Sequence, residues 1–322
     1  MICVLSACGP GQDRTSSAAE AQVVDLPGTA GGIAFDDLEY SPRLQRVLVP
    51  AHASGLYLVE PDSATATRVP GAGRVTSADE GRGLLFLADR DGHTITVVDP
   101  ADGAVLSSVS TSAPPDYIRY VAVTGELWVT QPAGSPSGIE IFAVPGGSVP
   151  TPRQSGFIAV LDGPEGFALS STTDTAYTHS GTDLVAIDVR ERAETSRWPT
   201  GCAGTHGFPR IDEHLGVALT GCAADGGVAL LDLADGRQLG RYAVGGGAAL
   251  SAHSDRAGHF YVRSDPGPTI ATLRASTSGL TLVQEVDVPE TGHCLTADDR
   301  GHYWTCDAGR GHILRFDDPG GG

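Results

Sequence analysis

Short apolar runs, each closing on an acid or a turn, recur along the whole chain. LYLVE ends at Glu60, ITVVD at Asp99, IEIFA at Ala143, LVAID at Asp188, VALLD at Asp232, IATLR at Arg274 and ILRFD at Asp317, with spacings of 39, 44, 45, 44, 42 and 43 residues. A second apolar run precedes each of these: RVLVP, LLFLA, ELWVT, TAYTH, GVALT, HFYVR and HYWTC. The two are joined by turn segments rich in Gly, Asp, Ser or Pro, such as ADRDGH and CAADGG. Most units continue into an alternating run such as GAVLSSVST, RQLGRYAVG or LTLVQEVDV. Period-two alternation in β-branched and aromatic residues between such turns predicts strands. Three or four strands in a unit of roughly 43 residues, repeated seven times, predict an all-β chain forming a seven-bladed β-propeller.

The last unit stops soon after ILRFDDPGGG, without an outer strand of its own, whereas AQVVDLPG at residues 21–28 is strand-like and has no other partner. Pairing this N-terminal strand with the last blade closes the ring and removes the exposed edges of a linear array. Residues 1–20 are therefore set apart as a leader and tether, and residues 21–322 as one propeller domain.

The composition agrees with a folded, turn-rich protein: among 322 residues there are 43 glycines and 21 prolines, with 40% hydrophobic and 19% charged residues. The net charge of −18 is spread along the chain, and its field repels phosphate backbones, so nucleic acid is not an expected partner. Lysine and asparagine are both absent, which excludes a Schiff-base or P-loop lysine and an N-glycosylation acceptor. No window approaches the roughly 20 apolar residues that cross a bilayer. The beginning, however, contains Leu5-Ser6-Ala7-Cys8, which looks like a bacterial lipobox with Cys8 as the lipidated residue. The polar, glycine-bearing stretch after it suits a tether. The expectation is an extracytoplasmic monomer that meets the membrane through a lipid anchor alone, following a truncated signal segment.

Four further cysteines fall two to a blade, in the fifth and seventh repeats. In each blade one stands just ahead of the innermost strand and the other at the end of the next, so an antiparallel hairpin brings them together. Disulfides Cys202–Cys222 and Cys294–Cys306 are expected, since an exported compartment permits them. Zinc ligation usually shows closer spacing than the 20 and 12 positions found here.

His206 in GTHGF and His293 in TGHCL occupy matching places just before the innermost strands of their blades, where side chains border the channel mouth. His179, closing the second strand of blade four, is expected on the same face. Glu165 in GPEGF, with Tyr117 and Arg119 in PPDYIRY, completes the expected ligand-binding rim. An unidentified protein or small molecule is the expected partner there, without a cofactor. The alternative is zinc or another divalent metal held by His206, His293 and Glu165, a donor set that suits a borderline ion.

The phrases ITVVDPADGAVLSSV, DYIRYVAVTGELWVT, VALLDLADGRQLG and HCLTADDRGHYWTCDAGRGHILRFDD resemble the YVTN-type, YncE-like family of exported bacterial β-propellers, over about residues 31–318. The resemblance implies the propeller fold and an extracytoplasmic binding or scaffold role. Cys202-x-x-x-His206-Gly207 also resembles a phrase of periplasmic zinc-chaperone propellers, although their His/Asp-rich loop is missing here. His206, His293 and Glu165 could likewise imitate the site of virginiamycin-type lyases. No catalytic constellation emerges: there is no G-x-S-x-G elbow, no asparagine for a calcium-dependent lactonase site, and no tryptophan motif repeated in every blade.

Overall fold

Among the described residues, twenty-eight strands make seven four-stranded antiparallel sheets, and there is no helix. The computed structural model describes residues 20–29, 31–147 and 149–320. Blades 1 to 6 each use four consecutive strands and span residues 39–68, 77–110, 118–159, 167–199, 205–243 and 248–287. Blade 7 takes its inner three strands from residues 295–317 and its outer strand from Gln22–Asp25. The expected closure is therefore present: Gln22 pairs with Arg315 and Asp25 with His312. Cys8 and the lipobox lie outside the described residues.

The burial of the strands follows their sequence. Second and third strands, such as Glu126–Gln131 and Gly138–Ala143, are buried on both faces because each blade packs between two others, and they carry continuous apolar runs. Outer strands such as Val105–Ser110 alternate and face water on one side. In blades 2 to 6 the register between third and outer strands slips by one residue, which bends and twists the sheet edge.

Large side chains fill the gaps between blades. Val24, Leu26, Trp304 and Ile313 of blade 7 pack against Tyr40, Val47, Val49, Tyr57 and Val59 of blade 1, so the N-terminal strand is part of the joint that closes the ring. Trp304 donates its indole N–H to Asp298 (2.8 Å), which also accepts from His302 Nδ1 (2.9 Å). Beyond the last strand, buried Asp318 accepts from Tyr261 (2.5 Å) and contacts His259 Nδ1 (2.8 Å), tying the end of blade 7 to blade 6.

Both expected cysteine pairs stand at disulfide distance, with Cα separations of 5.3 Å for Cys202–Cys222 and 6.0 Å for Cys294–Cys306. The ladders put them there. Leu295 is paired with Thr305, so Cys294 and Cys306 face each other one residue further out, whereas Cys222 is itself paired with Thr205 and the bend through residues 201–204 folds Cys202 back beside it.

Candidate functional site

The loops that lead into the innermost strands, and those that leave the second strands, converge on one end of the channel. They enclose a cavity of about 370 Å³. Phe35, Asp36 and His52 come from blade 1 and its leading segment, Arg90 from blade 2, and Asp116 and Tyr117 from the approach to blade 3. Glu165 precedes blade 4, His206 belongs to the inner strand of blade 5, and His293 precedes that of blade 7. Blade 6 contributes from behind: Asp265 Oδ2 lies 3.1 Å from His293 Nδ1.

One half of the cavity is an acidic pair around a single cation. Arg90 Nη2 donates to Asp36 Oδ2 (2.7 Å) and also to Asp116, while the Tyr117 hydroxyl donates to Asp36 Oδ1 (3.1 Å). Burial disfavours both carboxylates more than Arg90 can offset, raising Asp36 and pushing Asp116 up to about 7. Burial also lowers His52, against the pull of Asp36, and raises the Tyr117 phenol well above its ordinary range.

The other half is a chain of carboxylate, imidazole, imidazole and carboxylate. The rings of His293 and His206 meet edge to face at 5.2 Å, and His206 Nε2 lies 3.8 Å from Glu165 Oε2. His293 is anchored through Nδ1 by Asp265, and His206 Nδ1 lies 3.4 Å from the carbonyl of Ala249. Each ring is thus held by one nitrogen, which leaves Nε2 as the atom offered to a ligand. Burial works against protonation of His293, but the bond to Asp265 and the charges of Asp36, Asp265 and Glu165 outweigh it and raise its pKa. Glu165 is fixed by the Gly207 backbone N–H.

Two glycines permit this close approach. A Cβ at Gly221, opposite His206 in the ladder, would stand 2.6 Å from the Ala249 carbonyl oxygen and 2.8 Å from that of His206. One at Gly292 would run into the Arg263 guanidinium at 2.5 Å.

Of the six expected rim residues, Tyr117, Glu165, His206 and His293 line the cavity together. Arg119 lies deeper in the channel. It makes a bidentate bond to Asp37 (2.8 and 3.0 Å), reaches Glu39 (2.7 Å), and stacks over Phe208 opposite Arg210. His179 is a correction. Second strands stand one layer back from the channel, so its ring is buried behind blade 5, with Nδ1 3.2 Å from the Gly207 carbonyl. Burial drives its pKa down to about 3, making it a neutral support for the loop that carries His206.

Asp36, His52, Arg90 and Asp116 line the cavity as well and were not among the expected rim residues. Asp36 and Asp116 lie just ahead of inner strands, the same position that singled out Glu165, and that rule applied to FDDLEY and PPDYIR would have found them. Among the described residues, no three His, Cys, Asp or Glu side chains stand together as a ready metal-binding group.

No protein-family model matches the sequence, and no curated protein matches it. Solved structures do. A chain of the mitotic checkpoint complex superposes with a TM-score of 0.75 over 98% of this chain and 97% of that one, at 15% identity. The chain is a β-propeller. The WD40 repeats of RRP9 superpose at 0.72 with 12% identity, covering 94% of this propeller and 98% of that one. A chain of Kuenenia stuttgartiensis hydrazine synthase does so at 0.73 with 11% identity, covering 92% and 99%. At such identities the likeness is one of fold, which many functions share.

Proposed function

We propose that this propeller is an extracytoplasmic, lipid-anchored binding protein of the YVTN type that captures a ligand at the histidine-bearing end of its channel. The observation that carries this reading is the cavity itself. Six blades contribute charged or imidazole side chains to one space of about 370 Å³, and the seventh anchors His293 from behind. Converging polar groups on a rigid scaffold are the usual build of a small-molecule site. Asp36, Asp116 and Glu165 supply more acceptor oxygens than the one guanidinium occupies, so the site favours a ligand with hydrogen-bond-donating groups. Two cysteine pairs at disulfide distance support an oxidising compartment. The solved neighbours that belong to complexes keep a protein partner in view.

Capture from an envelope extract tests the reading. The wild type should retain a small molecule or protein that the Asp116→Asn/Glu165→Gln variant loses; equal retention by both contradicts it.

A second reading is favoured by the anchoring of both rings through Nδ1, an arrangement that orients metal-ligating histidines. In it, Nε2 of His206 and of His293, with Glu165, take zinc or another borderline divalent ion, once the Glu165 side chain swings in from its 3.8 Å separation. Elemental analysis decides this: about one ion per chain in the wild type, lost in His206→Ala and in His293→Ala, supports it, and none in the wild type overturns it.

A further inference from the structure

A cysteine pair stands beside each of the two cavity histidines, and the two pairs have different surroundings. Cys294 and Cys306 are enclosed, with the Thr305 hydroxyl 4.0 Å from Cys294 Sγ; the nearby Arg263 contacts the Cys306 carbonyl rather than a sulfur. Cys202 sits in the loop ahead of the Thr205–Asp212 strand and keeps 6% of its surface, the most of the four. Its partner has a cation at the sulfur. Arg241 Nη2 lies 3.4 Å from Cys222 Sγ, while Nη1 donates to the Gly201 carbonyl at 2.6 Å, so one guanidinium spans both arms of the bond. Asp225, 3.7 Å from Arg241, is exposed and offsets that charge in part.

We infer that Cys202–Cys222 is a thiol–disulfide exchange site for a dithiol carrier, and that opening it loosens His206 at the channel end. The consequence for ligand capture rests on the function proposed above; the exchange itself does not.

The chemistry closes without a further oxidant or reductant. A carrier thiolate attacks Cys202 Sγ, the bond to Cys222 breaks, and Cys222 leaves as a thiolate beside Arg241. The second carrier thiolate then attacks the mixed disulfide, and Cys202 leaves and takes up a proton. Two electrons pass from carrier to protein, which ends with two thiols while the carrier ends as a disulfide. A neighbouring cation lowers the pKa of the departing thiol and so speeds its departure.

The link to the mouth lies in the ladder. Thr205 pairs with Cys222 and His206 with Gly221, after which pairing breaks off until Arg210 meets Leu219. His206 therefore occupies a two-rung stretch between the disulfide and a bulge. Besides the covalent bond, that stretch is tied by its two rungs, by the Thr205 N–H and hydroxyl donating to the Gly181 carbonyl, by the Ala223 N–H donating to the Gly204 carbonyl, by the Gly207 N–H on Glu165 and by the contact of His206 Nδ1 with Ala249, so opening the bond releases its outer end and leaves those ties to hold the ring.

The test uses the full chain and dithiothreitol as the carrier, with alkylation and peptide mass spectrometry at intervals. Cys202 and Cys222 should be alkylated well before Cys294 and Cys306. Arg241→Gln should slow opening, because the leaving thiol loses the cation that lowers its pKa, and Arg241→Lys should restore most of the rate. In the partly reduced protein the imidazole NMR signals of His206 and His293 should shift while that of buried His259 stays. Equal opening of both bonds, or an Arg241→Gln rate equal to wild type, overturns the exchange site. Selective opening with His206 unmoved overturns the link to the mouth, and leaves the ligand-binding reading to its own capture experiment.

Discussion

His206 and His293 belong to blades that are not neighbours, yet their rings touch edge to face at 5.2 Å, flanked by Glu165 on one side and Asp265 on the other. The contact exists because the ring of blades brings every inner strand to one axis. At His293 the bond from Nδ1 to Asp265 is the largest of the influences that raise the pKa against burial. Asp265→Asn should therefore lower the pKa of His293, read by imidazole NMR through a pH titration, and leave buried His259 unchanged. An unmoved His293 would mean that Asp265 does not govern its charge.

Stability should fall as pH rises from about 4 towards 7. Asp79 and Asp116 are both pushed up to about 7 by burial, so over that range the folded chain holds two protons that the unfolded chain has released, while buried His179, driven down to about 3, lacks one that the unfolded chain keeps up to about 6.5 and offsets about half of the decline. Asp212 and Asp298 run the other way, since bonds to histidine and backbone hold them below the ordinary carboxylate range; their contribution is lost as pH drops below about 4. Denaturation midpoints from pH 3 to 8 should peak in the mildly acidic region, and Asp116→Asn should flatten the decline above it. A maximum at or above neutrality would contradict this.

Closure of the ring depends on Val24, 1% exposed in the joint between blades 7 and 1. Val24→Asp buries a carboxylate among Trp304, Ile313 and Tyr57, and should cost about 3 kcal/mol or more by urea denaturation. The exposed neighbour Val23 gives the control: Val23→Asp should change stability by roughly 0.5 kcal/mol or less.

How much of this was legible follows from how each part is encoded. The blades could be read because second and third strands are buried on both faces and write unbroken apolar runs such as ELWVT. Closure could be read from a missing strand at one end and a spare at the other, and the cysteine pairs from hairpin geometry. The site was legible in part. Tyr117, Glu165, His206 and His293 share a position in the repeat, just ahead of or at the start of an inner strand. Arg90 falls in ADRDGH, a segment that reads as an ordinary turn, and only the curvature of the ring turns it towards Asp36 and Asp116. His179 looked equivalent to the rim histidines because the setback of second strands leaves no mark in the residue pattern.

The buried Arg119 illustrates a cost of a polar channel. Its bonds to Asp37 and Glu39 compensate one another away from water, so Arg119→Leu should leave uncompensated carboxylates and destabilise the chain by about 3–5 kcal/mol. Adding Asp37→Asn should recover part of that loss. A double variant as unstable as the sum of the two single variants would show that the pair is not coupled.

Ligand capture at the histidine end of the channel leaves a mass that can be weighed. Native mass spectrometry of the protein, purified without chelator and compared with His206→Ala/His293→Ala, tests it most directly. An added mass, a small molecule or a metal ion, is expected on the wild type and should be lost from the double variant while that variant stays folded. The same species on both proteins, or none on either, would contradict it.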